Sequence, residues 1–167
     1  MTTFARLLSE NCILSRIKKR DLRNMLALTS KQLNEIAQEF DCGNRCYLNK
    51  KTNEIISTPD FELIFDDGKE FYEEILEELE NNWDDYVEIE RPHSSDSFNF
   101  MVEFAEQLKD GNRLKDRLFD ALNKNKPFSR FKFEIDNSGK FRQEWFDFKH
   151  AKLENWVIEK FNEIKND

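Results

Sequence analysis

The sequence predicts an α+β domain, in which a small antiparallel β-sheet packs against several helices and the C-terminal half is rich in helix. Its length of 167 residues suits a single domain with a sizeable core. Aromatic residues make up 13% of the chain, whereas only 4 Gly and 3 Pro are present. This composition favours helices over long irregular loops. Short β-prone runs occur only before residue 91, and the remaining segments show helical spacing of apolar residues.

The first half contains a helix and a hairpin. Thr29 followed by Gln32 is a capping box, and the apolar residues after it recur with helical spacing until residue 40. Residues 45–49 and 54–58 are β-prone, and the turn between them contains Asn53, which can adopt the left-handed conformation that closes a hairpin.

An acidic amphipathic helix and a third strand follow the hairpin. In residues 70–82, Phe71, Ile75 and Leu79 form an apolar stripe, while the opposite face is nearly all Glu. Residues 86–90 are predicted to form the third strand, which ends before a proline.

Four helices are predicted in the C-terminal half. Residues 94–97 offer several N-caps for the first of them, which ends before an Asp-Gly pair. Two short helices at residues 114–122 and 127–135 follow, the second beginning with a proline. The last helix is predicted at residues 141–164, with a broad aromatic face suited to burial.

We predict a helical extension at residues 1–28 and a single domain at residues 29–167, since no linker or repeat divides the chain. No window approaches the run of about 18 apolar residues that a membrane span needs. The first nine residues lack the features of a signal peptide. Three cysteines, Cys12, Cys42 and Cys46, indicate reduced thiols. We therefore expect a cytoplasmic protein without membrane contact.

Charge is segregated along the chain. The net charge is -8, yet residues 66–90 hold 12 Asp and Glu against the single Lys69. Basic stretches at residues 16–31 and 109–132 flank this acidic segment in the sequence. A solvated acidic face is the commoner outcome of such a run of charge. The functional alternative is a surface that repels or mimics nucleic acid or binds a basic partner.

Several segments resemble the uncharacterised protein family 0158, which has no established activity. They are residues 29–40, 41–48, 51–55, 86–89, 100–104 and 127–148, of which the most specific are Pro127-Phe128-Ser129-Arg130-Phe131-Lys132 and Arg142-Gln143-Glu144-Trp145-Phe146-Asp147-Phe148. The resemblance covers roughly residues 29–165 and implies a shared fold and a bacterial origin, but no catalytic residue. Asn53 stands where a turn glycine is usual, and Ser129 stands where a basic residue is common.

Motifs for catalysis are weak. The chain has no phosphate-binding loop, dinucleotide fingerprint, nucleophile elbow or zinc-protease motif. Cys42 and Cys46 have a spacing that suits two zinc ligands, but two buried thiols are the commoner outcome. His93 lies in a loop and is either a general acid or base, or an exposed histidine.

Three functional hypotheses follow, in order of preference. The first is a non-enzymatic module that binds a protein partner through the acidic helix or the aromatic C-terminal region, without a cofactor. The second is association with nucleic acid, and the third is an enzyme with a carboxylate-bound metal near His93. The candidate binding residues are Glu73, Glu74, Glu77 and Glu78 on the acidic helix, and Arg130, Lys132, Arg142 and Trp145 in the C-terminal half.

Overall fold

A computed structural model of the protein describes residues 27–61 and 68–166. This part of the chain forms six α-helices, two short 3₁₀ helices and one sheet. The helices are α1 (Ser30–Cys42), α2 (Glu73–Asn81), α3 (Ser94–Gln107), α4 (Arg113–Leu122), α5 (Pro127–Asp136) and α6 (Lys140–Asn166); the strands are β1 (Arg45–Asn49), β2 (Ile55–Thr58) and β3 (Tyr86–Ile89); the 3₁₀ helices are Lys69–Tyr72 and Trp83–Asp85. The predicted fold class and helix-rich C-terminal half are confirmed. Residues 1–26 of the predicted N-terminal extension lie outside the described residues.

The sheet is antiparallel, and β1 lies between β2 and β3. Tyr47 at the middle of β1 stands opposite Ile56 on β2 and Glu88 on β3. Asn53 closes the β1–β2 hairpin with a φ of 62°, in the left-handed region that asparagine tolerates. The predicted hairpin and third strand are therefore confirmed.

Side chains alternate between the two faces of the sheet, so each face has its own hydrophobic cluster. Cys46 and Leu48 face the main core, which they share with α1 and the C-terminal helices. Tyr47 points to the opposite face, where it packs with Tyr86 and Leu79. The sheet thus lies between α1 and α6 on one side and α2 on the other.

The long helix α6 supplies much of the main core. Trp145, Leu153, Val157 and Phe161 are buried at helical spacing along it, which confirms the predicted face for burial. Although α6 has 27 residues, no helix within residues 27–61 and 68–166 is both long and apolar enough to cross a membrane.

The helix ends follow local signals. The Thr29 hydroxyl accepts from the Gln32 N–H at 3.2 Å, and Gln32 Oε1 accepts from the Thr29 N–H at 3.1 Å, which confirms the capping box. Gly43 ends α1 with a φ of 84°. Helix α3 begins one residue earlier than predicted: His93 is the N-cap, and its N–H donates to Asp96 Oδ2 at 2.9 Å.

A buried carboxylate, that of Asp60, joins the start of β1 to the segments that follow β2 and β3. Asp60, which follows β2, is buried and lies between two arginines. Arg45 Nε is 3.4 Å from Asp60 Oδ1, and Arg91 pairs with the other carboxylate oxygen. Arg91 also donates to the carbonyl of Gly43. The cluster therefore fixes the start of β1 relative to the segments that follow β2 and β3.

Candidate functional site

Helix α2 covers the second face of the sheet and carries the predicted acidic residues. Leu79 is the buried residue of this helix and packs against Tyr47 and Tyr86. The Tyr86 hydroxyl also donates a hydrogen bond of 3.1 Å to Glu78 Oε1. These contacts hold one side of α2 on the sheet and leave its other side exposed.

The exposed side of α2 is uniformly negative, and we call it the acidic surface. It consists of Glu70, Glu73, Glu74, Glu77, Glu78 and Glu80, all of which are exposed. None of the six forms an ion pair within the described residues, and the last turn of the helix has no basic residue. Like charges four residues apart, such as Glu73 and Glu77, destabilise a helix by about 0.2–0.5 kcal/mol per pair. The acidic surface therefore lacks the charge compensation that would stabilise its helix.

Two aromatic side chains flank the acidic surface. Phe71 is 81% exposed and Trp83 is 58% exposed, so the prediction that Phe71 belongs to the apolar stripe was wrong. Both residues lie in 3₁₀ turns outside α2. A 3₁₀ helix has 3.0 residues per turn instead of 3.6, so an α-helical stripe does not continue through it. Phe71 precedes α2 and Trp83 follows it, and the Trp83 ring contacts Tyr47 of the sheet edge-on, with 6.2 Å between the ring centroids.

The C-terminal cations predicted as an alternative surface lie among carboxylates. Lys132 Nζ is 3.6 Å from Asp136 Oδ2, and Arg142 Nε is 3.2 Å from Asp136 Oδ1. Arg130 donates its Nε–H to the carbonyl of Asn125 at 2.9 Å. The fold therefore brings Lys132 and Arg142 to the same carboxylate, on a surface of mixed charge.

Trp145 belongs to the aromatic core. It is 9% exposed, and its ring centroid lies 4.9 Å from that of Phe131 and 5.3 Å from that of Phe104, both in edge-on contact. The ring also stacks on Phe148 at 6.1 Å. A ligand could stack on Trp145 only by displacing part of the core. The exposed aromatic residues of this half are instead Phe128 and Phe133 on α5.

The two cysteines near the first strand differ in environment. Cys46 is fully buried, as predicted, whereas Cys42 is exposed, so the prediction of two buried thiols was wrong for Cys42. Burial, with smaller contributions from the charges of Glu39 and Glu88, raises the pKa of the Cys46 thiol to about 12. Cys46 is thus a protonated core thiol. Cys12 lies outside the described residues.

The metal-binding hypotheses receive no support from the geometry. Within residues 27–61 and 68–166, no three His, Cys, Asp or Glu side chains are grouped so that they could hold a metal ion. Glu70, Glu74 and Glu77 on the acidic helix therefore form no such group, although Glu70 and Glu77 line an open cleft beside α2. His93 is exposed, and its Nε2 lies 2.9 Å from Glu90 Oε1.

Family comparison supports the resemblance found in the sequence. The model of the Uncharacterised protein family (UPF0158) matches residues 23–166. The chain belongs to this family. The match includes every helix and strand of the described UPF0158 fold, and so includes the acidic surface. No curated protein and no solved structure matches the chain.

Sequence reasoning missed two features of this UPF0158 protein. One is the exposure of Phe71 and Trp83, which the adjacent Gly68 and Asn82 could have indicated because both residue types interrupt helices. The other is that no strand within the described residues pairs with the outer side of β3, a feature that depends on the strand order and has no local signal in the sequence.

Proposed function

We propose that this UPF0158 protein is a non-enzymatic interaction module whose acidic surface binds a basic segment of a partner protein. One observation carries the proposal: the negative charge on α2 is uncompensated and is flanked by exposed Phe71 and Trp83. Aromatic residues are enriched among those that dominate binding energy at interfaces. Complementary charge accelerates encounter and selects the partner.

The attachment of α2 to the sheet also supports the proposal. The Leu79 contacts and the Tyr86–Glu78 hydrogen bond position the acidic surface before any partner arrives. A pre-organised surface loses less conformational entropy on binding than a flexible one. The charged side chains can therefore act together on one partner segment.

Association with nucleic acid is the second candidate, and one observation favours it. Phe133 is 65% exposed and, with Arg130, lines a groove of about 360 Å³ between α4 and α5. An exposed ring beside a cation is typical of surfaces on which single-stranded bases stack. However, the carboxylates of Asp120 and Glu134 line the same groove and reduce its positive potential. The acidic surface is therefore the stronger candidate.

Capture from a lysate, with variants matched in charge, tests the first candidate. In the test variant, Glu73, Glu74, Glu77 and Glu78 are all replaced by Gln. The control variant loses the same charge at exposed acids elsewhere, through Glu106→Gln, Asp116→Asn, Asp147→Asn and Glu159→Gln. Each bait is incubated with nuclease-treated and with untreated bacterial lysate, and bound proteins are identified by mass spectrometry. We expect the wild type and the control to retain the same basic partner and the test variant to lose it.

If both variants retained the partner equally, the acidic surface would not be its binding site. Loss of all bound proteins on nuclease treatment would instead favour the second candidate. A gel-shift titration with single-stranded DNA then decides, because phosphate contacts weaken steeply as the salt concentration rises. Replacing Arg130 by Gln and Phe133 by Ala should reduce any such shift.

A further inference from the structure

Strand β3 is at the edge of the sheet, and no strand within the described residues pairs with its outer side. The hydrogen bonds to β1 show which backbone groups face that side. The Lys50 N–H donates to the carbonyl of Asp85 at 2.7 Å, and the register places these two residues opposite each other. Hydrogen-bonded and non-hydrogen-bonded pairs alternate along an antiparallel ladder. Val87 and Ile89 therefore bond to β1, and the residues between them direct their backbone groups outward.

Part of this outer edge is already satisfied by the fold. The Tyr86 N–H donates to the carbonyl of Trp83, and the Trp156 indole donates to the carbonyl of Glu90 at 2.8 Å. Between these two bonds lie the Tyr86 carbonyl, both backbone groups of Glu88 and the Glu90 N–H. Within residues 27–61 and 68–166, these four groups have no hydrogen-bond partner. Glu88 at the centre is exposed.

We propose that the outer edge of β3 binds an extended basic segment of the partner as a fourth strand. The inference rests on the proposed function and specifies how the partner is held. Addition of a strand to a sheet edge gains affinity from main-chain hydrogen bonds, and neighbouring side chains select the sequence. The free groups span residues 86–90, or about 16 Å of strand, so the bound segment has about five residues in register.

The charge of the outer edge of β3 indicates which kind of segment binds there. Residues 84–90 contain four acidic residues and no basic residue. Asp85 pairs with Lys51 and Glu90 pairs with Lys160, whereas Glu88 forms no ion pair within the described residues. Antiparallel pairing of two copies of β3 centred on Glu88 would place the two Glu88 carboxylates opposite each other, and like charges directly opposite destabilise a sheet. A basic segment would instead pair with Glu88 and then continue toward the acidic surface beyond Trp83. The edge therefore favours a basic partner over a second copy of the chain.

A proline substitution tests the edge without removing a bond of the existing sheet. Glu88→Pro deletes an outward N–H, and proline is tolerated in edge strands where the N–H faces solvent. Glu88→Gln is the matched control, because it removes the charge and keeps the N–H. The probe is a fluorescent peptide of about eight alternating lysine and valine residues, a length that covers the edge at about 3.3 Å per residue. A glutamate–valine peptide of the same length serves as its negative control.

Fluorescence anisotropy should show that the lysine peptide binds and the glutamate peptide does not. Glu88→Pro should weaken binding about tenfold or more, because it removes a hydrogen bond and places the proline ring against the added strand. Glu88→Gln should weaken binding less than Glu88→Pro. Equal binding of the lysine peptide by the wild type and the proline variant would overturn the inference, as would equal binding of the two peptides.

Hydrogen exchange of the full wild-type chain keeps the test decisive if Glu88→Pro fails to fold. On addition of the lysine peptide, exchange of the Glu88 and Glu90 amides should slow about tenfold or more, while Val87 and Ile89, already bonded to β1, should change little. Unchanged exchange at Glu88 would overturn strand addition. If lysate capture still requires the acidic surface in that case, the proposed function stands and only the inference fails.

Discussion

The hydroxyl of Tyr86 donates a hydrogen bond of 3.1 Å to Glu78, which joins the sheet to the acidic surface. A side-chain hydrogen bond with Asn49 lowers the pKa of Tyr86, but burial and the hydrogen bond and charge of Glu78 outweigh it, so the pKa is raised. Tyr86 also packs with Tyr47 and Leu79 beneath α2. One residue thus couples the stability of the sheet to the position of the candidate site.

Replacing Tyr86 by Phe should lower the free energy of unfolding by about 0.5–1.5 kcal/mol, the usual net contribution of one hydrogen bond. Glu78→Gln should cost less, because the amide oxygen can still accept from the hydroxyl. Urea denaturation of both single variants and the double variant would measure the coupling. An unchanged free energy of unfolding in Tyr86→Phe would show that the bond contributes nothing to stability.

Local signals explain why much of the fold could be predicted. The Thr29–Gln32 capping box and the left-handed Asn53 act through neighbours within a few residues, so the sequence contains all that determines them. The order of the strands and the face that α2 covers depend on contacts between distant residues, such as Tyr47 with Leu79. Neither could be read from periodicity.

The negative charge of the candidate site could be predicted from the sequence, but the exposure of its aromatic residues could not. Glu73, Glu74, Glu77 and Glu78 were placed on the exposed face of a helix by their spacing alone. The exposure of Trp83 depends on where the α-helix gives way to a 3₁₀ turn, a boundary that sequence patterns locate only to within a few residues.

The uncompensated charge of α2 makes a prediction about stability. Glu80→Lys should raise the free energy of unfolding by about 0.5–1 kcal/mol, because a cation in the last turn suits the helix dipole and faces Glu77. Glu73→Lys in the first turn should lower it, since a cation there opposes the dipole. Thermal unfolding at low salt measures both effects. Both effects should shrink in 1 M NaCl, where charges are screened within about 3 Å. If both substitutions changed the free energy of unfolding in the same direction, the helix dipole could not be the cause.

The buried thiol of Cys46 predicts a loss of stability at alkaline pH. Its pKa is raised from 9.0 to about 12, so the unfolded chain releases the proton first as the pH rises. Stability should be unaffected well below pH 9.0 and then fall by up to about 1.4 kcal/mol per pH unit until about 12. Cys46→Ala should flatten this part of the profile, as measured by urea denaturation at each pH.

Iodoacetamide labelling gives an independent check on the two thiols. In the native protein Cys42 should react readily, because it is exposed, and Cys46 should react only after unfolding. Rapid native labelling of Cys46 would show that the strand opens far more often than its burial indicates.

The ion cluster beside the sheet predicts a large effect from a small change. Asp60→Asn should destabilise the protein by about 3–5 kcal/mol, because it removes a buried carboxylate that holds Arg45 and Arg91. Glu35→Gln, which breaks the exposed pair with Lys31, should change stability by less than about 1 kcal/mol. Urea denaturation of the two variants, which adds no salt, compares a buried pair with an exposed one. Similar small effects would show that solvent reaches the cluster.

The different environments of Trp145 and Phe133 lead to the last prediction. Trp145→Ala should cost about 3–5 kcal/mol, since the indole packs against Phe104, Phe131 and Phe148. Phe133→Ala should change stability by less than about 0.5 kcal/mol, because its ring is largely exposed. Denaturation measures both variants. If nucleic acid binds the C-terminal half, Phe133→Ala should weaken that binding while the protein stays folded. Binding that depends on Trp145 instead would require the core to open.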